Sequence, residues 1–225
     1  MYDKYNWRFD KEIVNGFDKH VRQSVPLYEM FHKSIVDLSK YFIRRGTKIY
    51  DLGTSTGYFI NSLYKEINRD NEFIGVDIES SMIEECKRRH KDTNIKFILE
   101  NVLDVDFANS SVISMILLLQ FLEKGERTKL LTKIYNEVEE NTALFIVEKI
   151  KTSQIDLHDA YNDVYYDFKR SQELTDKEIL DKNISLRGIM KPMLLEECIK
   201  ILKDIGFKVD INVKYNNFVS IIAIK

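Results

Sequence analysis

From Lys48 onward the chain alternates between two hydrophobic periods, and few folds accommodate that. Lys48-Ile49-Tyr50-Asp51 is short and β-like, while Phe59 to Ile67 carries apolar residues at helical spacing. Phe73-Ile74-Gly75-Val76-Asp77 reads as a second strand. Ser80 is placed as the cap of a helix through His90, with Glu84 and Glu85 early and Lys87, Arg88 and Arg89 late. Ile95 to Leu99 is a third strand. Val112 to Leu119 is apolar throughout, as expected for a central parallel strand. A helix over about 124–138 and a strand from Ala143 to Val147 follow. The end of the chain reads as a helix (194–204), a stop at Gly206, and strands near 207–213 and 217–224 forming an antiparallel hairpin. This order predicts an α/β, doubly wound, Rossmann-like sheet of seven mostly parallel strands.

The flanks complete one domain over 1–225. Phe17, Val21, Phe31, Ile35, Leu38 and Phe42 predict an N-terminal helical cap (1–45), interrupted at Ser24-Val25-Pro26. Residues 153–189 read as a polar helical insertion over the site. Apolar residues at 44% and charged residues at 31% are ordinary globular values. The net charge of -2 argues against long-range attraction to nucleic acid or to a membrane surface. Lys87-Arg88-Arg89-His90-Lys91 is either a nucleic-acid contact or, as expected here, the basic last turn of a helix. No apolar run is long enough to span a bilayer, and Met1-Tyr2-Asp3-Lys4 has no secretory character. Cys86 and Cys198 fall in helical patterns and predict buried free thiols, hence a cytoplasmic protein.

The chemistry is concentrated in Asp51-Leu52-Gly53-Thr54-Ser55-Thr56-Gly57, a D-x-G-x-x-x-G run at a strand-to-helix turn. Gly53 and Gly57 permit positive φ and leave room for a ligand against the backbone. The helix that follows presents free N–H groups. Asp51 can reach an amino group. Asp77, with Ile78 after it, ends the second strand where a carboxylate can grip two ribose hydroxyls, or else cap a helix. A dinucleotide turn would carry a second glycine at Ser55, so the run favours S-adenosylmethionine (SAM) as cofactor. Asn101-Val102 either meets the adenine or forms a turn.

The terminal helix and hairpin are typical of class I methyltransferases. More specifically, the chain resembles carboxy-S-adenosyl-L-methionine synthases from about Trp7 to Ile224. The resemblance rests on Trp7-Arg8-Phe9-Asp10, Ser24-Val25-Pro26-Leu27-Tyr28, Tyr50-Asp51-Leu52-Gly53, Met82-Ile83-Glu84, Leu119-Gln120-Phe121-Leu122-Glu123, Lys133-Ile134-Tyr135, Glu148-Lys149 and Asp167-Phe168-Lys169-Arg170. It implies SAM and prephenate as substrates and a role in tRNA wobble-uridine modification. It also implies Tyr28, Gly53, Ser55, Asp77 and Asn101-Val102 around SAM. The family's carboxylate-gripping arginine falls at Asn183, a sheet asparagine at Ile116, and a histidine pair at Tyr165-Tyr166.

On those departures the expected function is SAM-dependent methyl transfer to a small-molecule acceptor. Carboxy-SAM synthesis is the alternative, and a non-catalytic SAM-binding module the third reading. Tyr28, Glu148 and Tyr165 are the catalytic candidates. Tyr28, Asp51, Gly53, Thr54, Ser55, Gly57, Asp77, Ile78, Asn101 and Val102 are the cofactor candidates. Tyr166, Arg170, Asn183 and Arg187 are the substrate candidates, Arg187 as a substitute cation if it shares a helix face with Asn183. Asp159, Asp163 and Asp167 lie on one helical face beside His158. They are a metal site or a solvated acidic face, and the latter is expected, so no metal is assigned. A homodimer is compatible with the resemblance.

Overall fold

In the computed structural model, residues 11–67 and 70–225 are described; Trp7-Arg8-Phe9-Asp10 lies outside them. Two helices come first, α1 (Lys11–Ser24) and α2 (Tyr28–Phe42), broken at the expected Val25-Pro26 step. The alternating unit follows as β1 (Lys48–Leu52), α3 (Tyr58–Ile67), β2 (Glu72–Asp77), α4 (Ser80–Arg89), β3 (Lys96–Leu99), β4 (Ser110–Ile116), α5 (Lys124–Glu137) and β5 (Ala143–Lys151). Then come α6 (Ile155–Ser171), α7 (Asp176–Ser185), a two-residue β6 (Met193–Leu194), α8 (Leu195–Ile205), β7 (Lys208–Tyr215) and β8 (Phe218–Ile224).

The sheet order is β3-β2-β1-β4-β5-β8-β7. The first four pairings are parallel, while β8 is antiparallel to both β5 and β7. This is the expected seven-strand path; β6 adds an eighth short strand, parallel to the end of β5.

Strand alternation divides the core into two layers. Tyr50, Leu52, Ile113, Leu144 and Ile146 face one side, packed with Leu130, Leu131 and Ile134 of α5 and Cys198 and Leu202 of α8. Ile49, Val112, Phe145 and Val147 face the other, against Phe31 and Ile35 of α2, Ile60 and Leu63 of α3, and Cys86 of α4. Phe31 and Ile35 are fully buried, each contributing about 1.5–3 kcal/mol by transfer from water. The N-terminal helices are therefore part of the core. Both cysteines are buried free thiols.

Three local expectations are corrected. β4 stops at Ile116 because Leu117 turns to φ 59°, its N–H donating to Val147 O at 2.7 Å. β5 runs on to Lys151, so Glu148 lies inside the strand, not at its tip. Ser80 is the first helical residue; the preceding Glu79 makes no side-chain cap, and its N–H donates instead to the Asp77 carboxylate at 3.0 Å.

Candidate active site

A cavity of about 660 Å³ opens at the carboxyl ends of β1, β2 and β4. It sits where the order reverses between β1 and β4, the position at which open α/β sheets bind ligands.

At one end lies the glycine turn. Gly53 holds φ 70°, and a Cβ there would come 3.1 Å from Leu118 Cδ1. Asp51 is buried; Thr54 Oγ1 and Ser114 Oγ each donate to its carboxylate at 2.8 Å. Burial raises its pKa to about 6 against those hydrogen bonds. Asp77 accepts the Ser55 N–H at 2.9 Å as well as the Glu79 N–H. Burial pushes its pKa up, and the two backbone donors oppose the shift. Asp77 is thus fixed before any ligand arrives, at the strand tip and on the cavity wall with Gly53, Thr54, Ser55 and Ile78. A rigid acceptor pair at Asp77 and an exposed apolar Ile78 beside it fit the ribose and adenine of SAM.

The turn is held from behind. Thr56 Oγ1 donates to Asp18 of α1 at 2.6 Å, and Cys86 Sγ donates to Ser55 O at 2.9 Å. Arg89 bonds Asp18 and Glu85. The basic last turn of α4 is therefore spent in part on ion pairing within the fold. Tyr28, His32, Tyr58 and Phe59 form an aromatic corner beside the turn, with Arg22 over the Tyr58 ring at 4.6 Å. Both His32 ring nitrogens are buried without a hydrogen-bond partner, and burial lowers its pKa to about 4, so the imidazole is neutral.

The other end is built by α6, α7 and the end of β5. Tyr165, Tyr166, Lys169, Lys182, Asn183 and Arg187 reach the wall there, as does Lys149. The Lys149 Nζ lies 4.1 Å from the Tyr165 ring centroid and the Lys169 Nζ 4.6 Å from the same ring. Burial lowers both ammonium pKa values to about 8, and for Lys149 repulsion from Lys169 adds to the shift. Among the described residues neither has a carboxylate ion-pair partner. Asn183 Nδ2 donates to Tyr166 Oη at 2.9 Å. Lys149, Lys169 and Lys182 are not among the site candidates of the sequence analysis, where the first two enter only within family motifs. The one available signal was Glu148-Lys149 interrupting an otherwise apolar strand.

Several candidates are placed elsewhere. Glu148, proposed as catalytic, is buried off the cavity, its carboxylate accepting the N–H of Leu119 at 2.6 Å and of Gln120 at 3.1 Å. Burial raises its pKa to about 8. It shapes the 117–122 turn, whose Leu117 and Leu118 line the cavity. Gly57 is off the wall too; a Cβ there would meet the His90 ring at 2.9 Å, so packing explains the glycine. Asn101 accepts the Leu103 N–H at 3.0 Å in a turn, and Val102 is buried in the core, so neither lines the cavity. Arg170 is exposed and paired with Asp167 at 2.8 Å and Asp176 at 2.7 Å. That pairing also accounts for Asp167 in the acidic series.

Residues 49–141 match a family model described as a methyltransferase domain. A carboxy-S-adenosyl-L-methionine synthase of Staphylococcus epidermidis is 35% identical over 226 residues, covering 100% of this chain and 99% of that one. One of Helicobacter pylori (strain Shi470) is 33% identical, covering 96% and 93%. The chain belongs to the carboxy-S-adenosyl-L-methionine synthase family. It is thus a SAM-using transferase. The fold is shared more widely. The plantazolicin methyltransferase BpumL, solved with a triazolic desmethylPZN analog and SAH, superposes with a TM-score of 0.71 at 13% identity, covering 96% of this chain and 92% of that one. Human N-acetylserotonin methyltransferase, in complex with SAM, gives 0.63 at 14%, covering 96% and 56%.

Proposed function

We propose that this protein makes carboxy-SAM, taking the new carboxyl from a small carboxylate donor such as prephenate, and that Asp77, Ser55 and Gly53 hold the nucleoside. The observation that carries this reading is the segregation of charge along the cavity. Its acidic lining residues, Asp51, Asp77 and Glu79, all stand at the nucleoside end. The side chains of Lys149, Lys151, Lys169, Lys182 and Arg187 supply the cations of the far end. A sulfonium entering such a cavity adds a further positive charge. Desolvating several like charges together is unfavourable unless an anion accompanies them. A neutral methyl acceptor supplies none, and a dicarboxylate does.

The far-end cations also answer the departure at Asn183, because the positive charge expected there is present on other elements. With prephenate the balance closes. The donor gives up carbon dioxide and hydroxide and becomes phenylpyruvate. The methyl loses a proton and gains the carboxyl, and hydroxide and proton leave as water. No side chain needs to act as a covalent nucleophile. The protein's contribution is to hold the two reactants in register and exclude water, which is worth several powers of ten in rate. Tyr28, at the aromatic corner, and Tyr165, at the far end, then shape the space between the reactants.

The test is incubation of the purified protein with SAM and prephenate, read by mass spectrometry. Carboxy-SAM and phenylpyruvate are expected in equal amounts. Unaltered SAM, together with methylation of a neutral acceptor, would overturn the proposal in favour of plain methyl transfer.

A further inference from the structure

We infer that Lys149 and Lys169, both held against the Tyr165 ring, form the clamp that binds a carboxylate of the second substrate. This rests on the proposed function for the identity of that substrate, and deepens it by naming residues.

Four observations converge. The two ammoniums come from different elements, β5 and α6, yet both approach one aromatic ring, at 4.1 and 4.6 Å. Lys169 is buried, at 7% exposure, and lysine is almost never so buried without a partner. Both residues line the cavity, whereas Arg170, the next residue along α6, points to solvent and is neutralised by Asp167 and Asp176. Finally, Lys149 and Lys169 repel one another, with Lys182 beyond them feeling Lys169 in the same way. Folding therefore holds Lys149 and Lys169 together at the cavity wall, neither with a carboxylate ion-pair partner among the described residues. A cation–π contact offsets only part of that cost, about 0.5–2 kcal/mol each. A carboxylate entering between them relieves the repulsion and accepts charge-assisted hydrogen bonds from both.

The arrangement also explains why asparagine is tolerated at 183. Asn183 donates to Tyr166 Oη, so it organises the neighbouring tyrosine and leaves the charge to the lysines. Arg187 is a further cation of this wall, but it is exposed. Solvent screening makes it the weaker anchor.

The experiment titrates prephenate into protein saturated with S-adenosylhomocysteine, by calorimetry, using the wild type, Lys149→Gln, Lys169→Gln, Lys169→Arg and Arg187→Ala. SAM affinity is measured on each as the control for an intact fold. Each Lys→Gln change is expected to weaken prephenate by about 10- to 100-fold, the scale of a charged hydrogen bond, with SAM affinity held within about twofold and Lys169→Arg recovering part of the loss. Wild-type prephenate affinity in both Lys→Gln variants would overturn the clamp. So would a parallel loss of SAM affinity, which marks a structural role, or a loss confined to Arg187→Ala. Absence of prephenate binding to the wild type would overturn it as well. Binding that depends on the lysines, with no carboxy-SAM formed in the turnover assay, would leave the clamp standing and remove the proposed reaction.

Discussion

The two ends of the cavity are built by different logics. The nucleoside end is local: Asp51 to Ser55 form one turn, and Asp77 enters from the adjacent strand with its hydrogen bonds already made. The far end is assembled from β5, α6 and α7, and its Lys149 and Lys169 lack carboxylate ion-pair partners among the described residues. The first end is satisfied without ligand; the second is held in electrostatic tension until one arrives. The near end should therefore tolerate change through affinity alone, and the far end through charge.

The largest effect should come from a residue behind the cavity wall. Glu148 holds the N–H groups of Leu119 and Gln120, and so the turn carrying Leu117 and Leu118 into the cavity. Glu148→Ala leaves two buried donors unpaired at about 1–3 kcal/mol each. A loss of about 2–5 kcal/mol in denaturant unfolding is expected. An unchanged unfolding midpoint with abolished turnover would instead restore Glu148 to a chemical role.

Next is the near end itself. Asp77→Ala removes the acceptor aimed at the ribose and should weaken SAM by about 1.5–3 kcal/mol in calorimetry, with the fold retained. Prephenate affinity should change far less, since Asp77 is not on the far wall. If the two ligands weaken together, the cavity does not divide as described.

These contrasts track what the sequence made legible. The alternation of strand and helix, the turn at Gly53 and the acid at the end of β2 are local patterns, and local patterns survive in one dimension. The sequence could not place Gly57, because a glycine packed under His90 looks the same as one needed for a ligand. Asn101-Val102 left a ligand contact and a turn open, and the structure has a turn and a core position after β3, which only the tertiary fold distinguishes. The lysines were missed because lysine is normally a surface residue, and only the tertiary fold brings positions 149 and 169 to one ring.

A subtler probe of the far end is pH. Lys149 and Lys169 have pKa values lowered to about 8, from about 10.5. Lys169 faces Lys149 and also acts on Lys182 and His20; Lys182 and His20 are likewise pushed down, to about 8 and about 4. An anion binds the protonated lysines, so prephenate affinity should be level below about pH 8 and fall as pH rises through it. Binding should take up protons near pH 8–9. SAM affinity should not follow this profile. A flat prephenate profile up to pH 9.5 would show that neutral donors hold the anion.

The smallest effect is the most discriminating, because it compares neighbours in one motif. Lys169 and Arg170 are consecutive in Asp167-Phe168-Lys169-Arg170, and a helix turns about 100° per residue. That turn sends Lys169 inward to Tyr165 and Arg170 outward to Asp167 and Asp176. The Arg170 side chain is 52% exposed and its partners more so. Water and salt screen such pairs, which seldom contribute measurably. Arg170→Gln should therefore leave melting temperature, SAM affinity and prephenate affinity at wild-type values, while Lys169→Gln loses prephenate alone. Both changes remove one positive charge, so net charge cannot account for a difference between them. Only the direction each side chain takes from the helix can. Equal losses in the two variants would mean that the positive field of this region, and not a clamp at Tyr165, draws the anion in; that loss would then shrink as ionic strength rises past the point where the Debye length falls below about 8 Å.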